Sequence, residues 1–300
     1  MTPKDLNLFE QFMRHITNER RLSPHTVLAY RTDLEQFMAF VKKEFQIEQP
    51  EKVDFKTIRT WTVSLVESKL DNRTVNRKLA TLRSFFGYLL RRQEIPKNPM
   101  LRVSVLKTDK KLPAFVEETA VQTLLNDVDF PDGFGGVRDR LVLELLYGTG
   151  IRLAELLGLK NNDFDHYEQV IGVTGKRNKS RKIPITKPLA KLIQDYIIAK
   201  GHEFGNTKTN TLIVTDKGDE SYPVHIQRLV KKYLTIVTTI KKRSPHILRH
   251  TYATHLLNHG ADLNAIKDLL GHQSLAATQV YTHNSIEKLK KVFEQAHPKA

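Results

Sequence analysis

The sequence has no cysteine, which excludes disulfides, thiolate zinc sites and cysteine nucleophiles. Its start, MTPKDLNLFEQFM, holds no apolar run of signal-peptide length. No segment reaches the ~20 apolar residues needed to span a bilayer, so no membrane partner is expected. The default expectation is a cytoplasmic, nucleoid-associated location. Internal repeats and low-complexity tracts are also lacking, and so is the HExxH pattern of zinc hydrolases.

What the chain does have is basic charge. Its 300 residues carry 48 Lys and Arg against 33 Asp and Glu, a net +15. A field of that sign favours polyanions. The excess is spread along the chain: +8 over residues 1–110 and +7 over 111–300. Neither half is a basic tail, so both halves are expected to touch the polyanion, as a clamp would. The 40% apolar content is enough for a real core.

Residues 5–100 read as helix throughout. Ser23-Pro24 is a start signal, with Ser at the cap and Pro in the first turn. Behind it, Val27, Leu28, Leu34, Phe37, Met38 and Val41 recur at helical spacing. Asp54 caps a third helix running to about Ser68, and a fourth runs from near Asn72 to before Pro96. At 100° per residue, Val75, Leu79, Leu82, Phe86 and Leu89 of the fourth helix share one side. Arg73, Asn76, Arg77, Ala80, Ser84, Gly87 and Arg91 share the other. A helix face that merely meets water has little use for Gly87 and Ser84. Small residues admit a close partner, and Arg and Asn reach phosphates or base edges. Arg73, Asn76, Arg77 and Arg91 are therefore expected DNA contacts.

Residues 96–113, PKNPMLRVSVLKTDKKLP, are rich in proline and lysine and weakly periodic, which reads as a linker. The expected division is 1–100, 101–112 as linker, and 113–300. In the second half, Glu117–Asn126 and Arg138–Tyr147 read as helices. Gln169–Thr174 and Arg181–Ile185 read as strands joined by a lysine-rich tip, Gly175 to Ser180. A helix over 187–200, a short strand Thr211–Val214, and helices near 223–239, 246–258, 262–269 and 285–296 follow. The class is mainly α with a small antiparallel sheet.

Six polar residues stand out. Arg152 follows Gly148-Thr149-Gly150 at a helix start, and Lys176 sits at the hairpin tip. His246 and Arg249 share one turn in HILRH with His250. His272 follows Leu270-Gly271, and Tyr281 comes nine residues later. Each has an ordinary alternative: Arg152 can pair with Glu155, tip lysines can be solvated, and a tyrosine can be core edge. His255 and His259, like His246 and His250, have a spacing that could chelate a metal, but no carboxylate lies between them. No metal and no cofactor are expected.

Together the six have a chemical logic. In-line attack on a phosphodiester builds negative charge that two guanidiniums can hold. Imidazoles add hydrogen bonds, a lysine can protonate the leaving oxygen, and a tyrosine hydroxyl can attack. Such a site needs no divalent metal.

The motifs TGIRLAELLGL, VTGKRNKSRKIPI, HILRHTYATHLLNHGADLNAIKDLLGH and SLAATQVYTH resemble the tyrosine recombinase, or phage integrase, family in order and spacing. LSPHTVLAYRTDLEQF and TVNRKLATLRSFFGYL extend the resemblance to the N-terminal half, so it covers nearly the whole chain. Within the family the chain is most similar to the bacterial Xer recombinases. The resemblance implies a four-helix, SAM-like core-binding domain ahead of a tyrosine-recombinase catalytic domain. It implies that Arg152, His246 and Arg249 bind the scissile phosphate, that Lys176 is the general acid, that His272 supports the phosphate or the tyrosine, and that Tyr281 is the nucleophile. Arg177 stands where the hairpin often has glycine, so either Lys176 or Lys179 could reach the leaving group; other tip residues would touch DNA. Asn284 stands where an aliphatic residue is common. Implied partners are duplex DNA with paired inverted half-sites, a recombinase tetramer that can include a paralogue, and a DNA translocase as activator. The tail stripe Ile286, Leu289, Val292, Phe293 and Ala296 would dock into a neighbouring subunit.

Overall fold

In the computed structural model, which describes residues 7–108, 114–175, 180–205, 209–271, 293, 295 and 296, the helices start where their caps allow. Asn7 caps α1 (Leu8–Arg14) by accepting from the Glu10 N–H, and a π turn, His15–Glu19, continues it. Ser23 caps α2 (Pro24–Phe45), and Asp54 caps α3 (Phe55–Glu67). Asp71 caps α4 (Asn72–Arg91). The chain separates into two compact units, Met1–Lys111 and Leu112–Ala300.

Helices α1 to α4 close around an aromatic core. Phe12 meets Phe85 edge-on, and Phe37 does the same with Trp61, the chain's single tryptophan. The expected apolar side of α4 is sealed, and Phe85, Tyr88, Lys78 and Thr81 widen it. Leu28, read as part of the α2 stripe, is instead exposed. The stretch read as a linker is tied to this unit over its first part. Met100 is buried in a short 3-10 turn, and Val103 and Leu106 pack on the core.

The second unit is organised on α6 (Phe134–Thr149), whose buried run Leu141–Tyr147 marks a helix enclosed on all sides. It packs against α5 (Glu118–Asn126), α8 (Lys187–Phe204), α9 (Pro223–Val237) and α10 (Pro245–Asn258). Between α6 and α8 lie α7 (Leu153–Gly158) and an antiparallel sheet of β1 (Phe164–Asp165), β2 (Val170–Thr174) and β3 (Ser180–Pro184), in that order. The β2–β3 pairing sets Val173 opposite Arg181. Thr211–Val214 forms isolated bridges to Lys160 and Glu220 rather than a strand. Helix α11 (Leu263–Leu270), capped by Asp262, ends at Gly271 in the left-handed region. Among the described residues, no helix is long and apolar enough to cross a membrane.

Candidate active site

Arg152 is the residue before α7. Its N–H donates to Glu155 Oε2 at 2.8 Å, so Glu155 caps α7 from the third position. The Arg152 guanidinium donates to Glu155 Oε1 at 2.8 Å and to the Gly271 carbonyl at 3.1 Å. Arg249 lies on α10, one turn after His246. It is buried, and it donates to the Gly150 carbonyl at 2.5 Å and the Leu270 carbonyl at 2.7 Å. His246 is exposed in the first turn of the same helix.

A third arginine, contained in the motif VTGKRNKSRKIPI but given no role from it, completes the cluster. Arg181 of β3 donates from Nε to the Leu269 carbonyl at 2.9 Å. Its Nη1 and Nη2 donate to the two Glu155 oxygens at 2.9 and 3.0 Å. Three successive carbonyls, Leu269, Leu270 and Gly271, thus accept from Arg181, Arg249 and Arg152. These are carbonyls at the end of α11, where the helix dipole is negative and cations are favoured. Strand alternation was the available signal for Arg181: it shares the inward side of β3 with Ile183.

Two glycines make the approach possible. Gly150 ends α6 at φ +60°, and a Cβ there would lie 2.5 Å from Tyr252 Cδ1. Gly271 has φ +63°, and a Cβ there would lie 3.1 Å from an Arg181 guanidinium nitrogen. Both positions call for the left-handed backbone that glycine adopts without strain.

The electrostatics are lopsided. Among the described residues, Glu155 is the one carboxylate bonded within the cluster: it accepts from Arg152 and Arg181, while Arg249 bonds only backbone carbonyls. Burial alone would raise its pKa, but hydrogen bonds from Arg181 and the Arg152 backbone, with the Arg181 charge, bring it down to about 2. Arg249 is pulled down to about 10, first by burial and then by repulsion from Arg152. Three guanidiniums with one carboxylate leave an excess of positive charge, an arrangement that takes up an oxyanion.

Lys176, Lys179, His272 and Tyr281 lie outside the described residues. The Arg cluster nonetheless grips the chain directly before His272. Two of the histidines weighed as metal ligands have contacts of their own. His255 Nδ1 pairs with Tyr147 Oη at 2.9 Å, and His259 Nδ1 donates to the Ala296 carbonyl at 3.1 Å. Of the tail stripe, Phe293 and Ala296 are described, and both are buried within the chain itself.

On α4, the expected contact face is partly engaged. Asn76 bonds both the N–H and the carbonyl of Leu106, at 2.8 and 2.9 Å, so its amide holds backbone rather than facing outward. Arg77 forks onto buried Asp33 at 2.5 and 2.9 Å, beside Lys78 at 3.0 Å and Thr81 at 3.0 Å. Arg73 and Arg91 are exposed.

The model of the phage integrase family matches residues 114–288, and that of the phage integrase N-terminal SAM-like domain matches 9–93. The chain is 36% identical to tyrosine recombinase XerC of Chlorobaculum parvum, covering 97% of this chain and 94% of that protein. It is 38% identical to tyrosine recombinase XerC of Syntrophus aciditrophicus, covering 98% of each. In structure it is similar to the XerH site-specific recombinase bound to palindromic difH substrate, with a TM-score of 0.72 at 22% identity. That likeness covers 94% of this chain and 83% of the other. It is also similar to the Tn1549 transposon integrase in complex with circular intermediate DNA, with a TM-score of 0.69 at 23% identity over 94% and 98%. These two likenesses speak for the fold. With both family models matched in chain order and full-length relatives above 30% identity, the chain belongs to the phage integrase family, the tyrosine recombinases, enzymes that cut and rejoin DNA.

Proposed function

We propose that this recombinase exchanges DNA strands at a specific site through a 3′-phosphotyrosine on Tyr281. The observation that carries the reading is the under-neutralised pair Arg152 and Arg249, bonded to the end of the helix that leads into His272 and Tyr281. In the proposed reaction the scissile phosphate takes over guanidinium donors now on the Leu270 and Gly271 carbonyls. His246, exposed one turn from Arg249, adds a hydrogen bond. The Tyr281 oxygen bonds to phosphorus, its proton leaves, and the bond to the 5′ oxygen breaks. Lys176 protonates that oxygen, with Lys179 the alternative, while His272 supports the phosphate or the tyrosine. The 5′-hydroxyl of a partner strand then attacks the phosphotyrosine and frees Tyr281. The phosphoester bond is conserved throughout, so the step calls for neither ATP nor a metal.

The biological setting we propose is resolution of chromosome dimers at segregation, on the nucleoid in the cytoplasm. The XerC relatives, at 36 to 38% identity over nearly the whole chain, support this over a mobile-element integrase. The assembly would be a tetramer on paired inverted half-sites, with a paralogous subunit and a DNA translocase as activator. Docking of the tail into a neighbour would require Phe293 and Ala296 to leave their present burial.

The test is a suicide substrate nicked beside the cleavage site. The native chain is expected to form a covalent protein–DNA adduct, and Tyr281→Phe none. An adduct persisting in Tyr281→Phe overturns the assignment.

A further inference from the structure

We propose that Arg181 is a positioning residue for strand cleavage, holding Glu155 so that Arg152 presents its guanidinium to the scissile phosphate. The inference rests on the phosphate-binding role proposed for Arg152. Arg181 itself is sealed from solvent and stands on the inner side of its strand, so it acts through its neighbours.

Its three bonds reach two separate elements from a third. From β3, the strand that leaves the hairpin tip, one bond goes to the end of α11 and two go to Glu155 at the start of α7. Glu155 is the shared acceptor, since the Arg152 side chain bonds the same Oε1 as Arg181 Nη1. A carboxylate held on both oxygens by a rigid fork cannot rotate, and a guanidinium resting on it inherits that orientation. Gly271 leaves room for this fork, because any side chain there would press on it. The arrangement also divides the labour between cations. Arg181 neutralises Glu155, so the charge of Arg152 remains available to an incoming oxyanion.

The experiment compares single-turnover cleavage of a native phosphodiester with that of a methylphosphonate at the scissile position. The methyl group removes the non-bridging charge that Arg152 would compensate. For Arg181→Met, gel-shift affinity is expected to stay near that of the native chain. Its cleavage rate constant on the phosphodiester is expected to fall about 100-fold, the scale of a misplaced catalytic group. On the methylphosphonate the deficit should shrink to within about tenfold. Arg181→Lys keeps the charge but not the fork, and should fall between.

A merely structural Arg181 predicts something else: fewer active molecules, an unchanged rate constant for those that remain, and no relief on the methylphosphonate. That pattern overturns the inference. Arg152→Ala is the control. If it gains relief on the methylphosphonate and Arg181→Met does not, the positioning role fails alone. If Arg152→Ala gains none, the phosphate-binding reading fails and this inference falls with it. Should Arg181→Met not fold, Glu155→Gln combined with Arg181→Met removes both charges of the pair. Native-rate cleavage by that double variant also overturns the proposal.

Discussion

Glu155 and Arg181 meet fork to fork, oxygen to nitrogen at 2.9 and 3.0 Å, with both side chains almost fully enclosed. Such a pair is expensive to break from one side, because the survivor is left charged and unpaired. It also gives acid stability a defined signature. The Glu155 carboxyl is held at about 2 in the folded chain, below its ordinary value of 4.5. A depressed acid stabilises the fold above its unfolded pKa, and that contribution is lost as pH falls through the folded value. Glu155→Gln should therefore lower neutral-pH stability by about 3 kcal/mol. The gap between native and variant should close between pH ~4.5 and ~2. Urea unfolding across a pH series measures it, and a gap independent of pH would speak against the ionised pair.

Gly150 is the second sensitive point. Gly150→Ala places a Cβ into Tyr252 and Leu270 on a left-handed backbone. Strain and overpacking together should cost about 3 kcal/mol. The Gly150 carbonyl also holds Arg249, so cleavage should fall beyond what lost stability explains. The check is the single-turnover rate at a temperature where the variant is fully folded. A rate equal to that of the native chain would detach Gly150 from the site.

Periodicity carried much of this architecture. The α4 residues Val75, Leu79, Leu82, Phe86 and Leu89 are all fully buried, and the Ser23 and Asp54 caps lie where their side-chain chemistry places them. Periodicity tells which side of a helix meets a core, not which polar groups it will find there. Asn76 looked like a DNA contact because nothing in its spacing reveals that Leu106 returns to meet it. β1 has two residues, too few for an alternation to register. Arg181 reads only as the start of a strand, and although its parity with Ile183 marks it as inward, nothing local shows that Glu155 and the Leu269 carbonyl meet it there. Arg152 paired with Glu155, its ordinary alternative, and sits in the cluster as well. One contact serves both purposes.

The α4 face yields a graded prediction. Arg73→Ala and Arg91→Ala should weaken DNA binding for all sequences, each lowering the salt slope by about 1. Asn76→Ala should leave the slope unchanged. It should instead loosen the segment around Leu106 and speed its proteolysis. Gel shifts over a salt series separate the cases. An Asn76→Ala slope change as large as that of Arg91→Ala would return Asn76 to the DNA.

Asp33 is the polar centre of the first unit, accepting from Arg77, Lys78 and Thr81 while almost wholly enclosed. Asp33→Ala leaves the buried Lys78 charge with the neutral Gln36 amide oxygen and no carboxylate, and should destabilise the unit by about 3 kcal/mol or more. The single tryptophan, Trp61, lies in the same core. Its fluorescence therefore follows this unit's unfolding, and its midpoint in urea should drop. An unmoved Trp61 transition would mean that the network contributes little.

Arg249 provides the last test, because its position makes an anion thermodynamically welcome. Burial and the neighbouring Arg152 hold it at about 10, so its charge is uncomfortable in the free enzyme. A bound oxyanion relieves that, and the relief must appear as stability. Inorganic sulfate should therefore raise the folding stability saturably, by about 1.4 kcal/mol at ten times its Kd, read as a rise in melting temperature. Sulfate also strengthens apolar burial in any protein, so the specific part is the part missing from Arg249→Met. The pH dependence has a definite sign. As pH rises past about 10, the free enzyme loses the Arg249 proton, and binding sulfate must first restore it. The specific stabilisation should fade through that range. A sulfate effect equal in the native chain and in Arg249→Met would mean that Arg249 does not receive the anion.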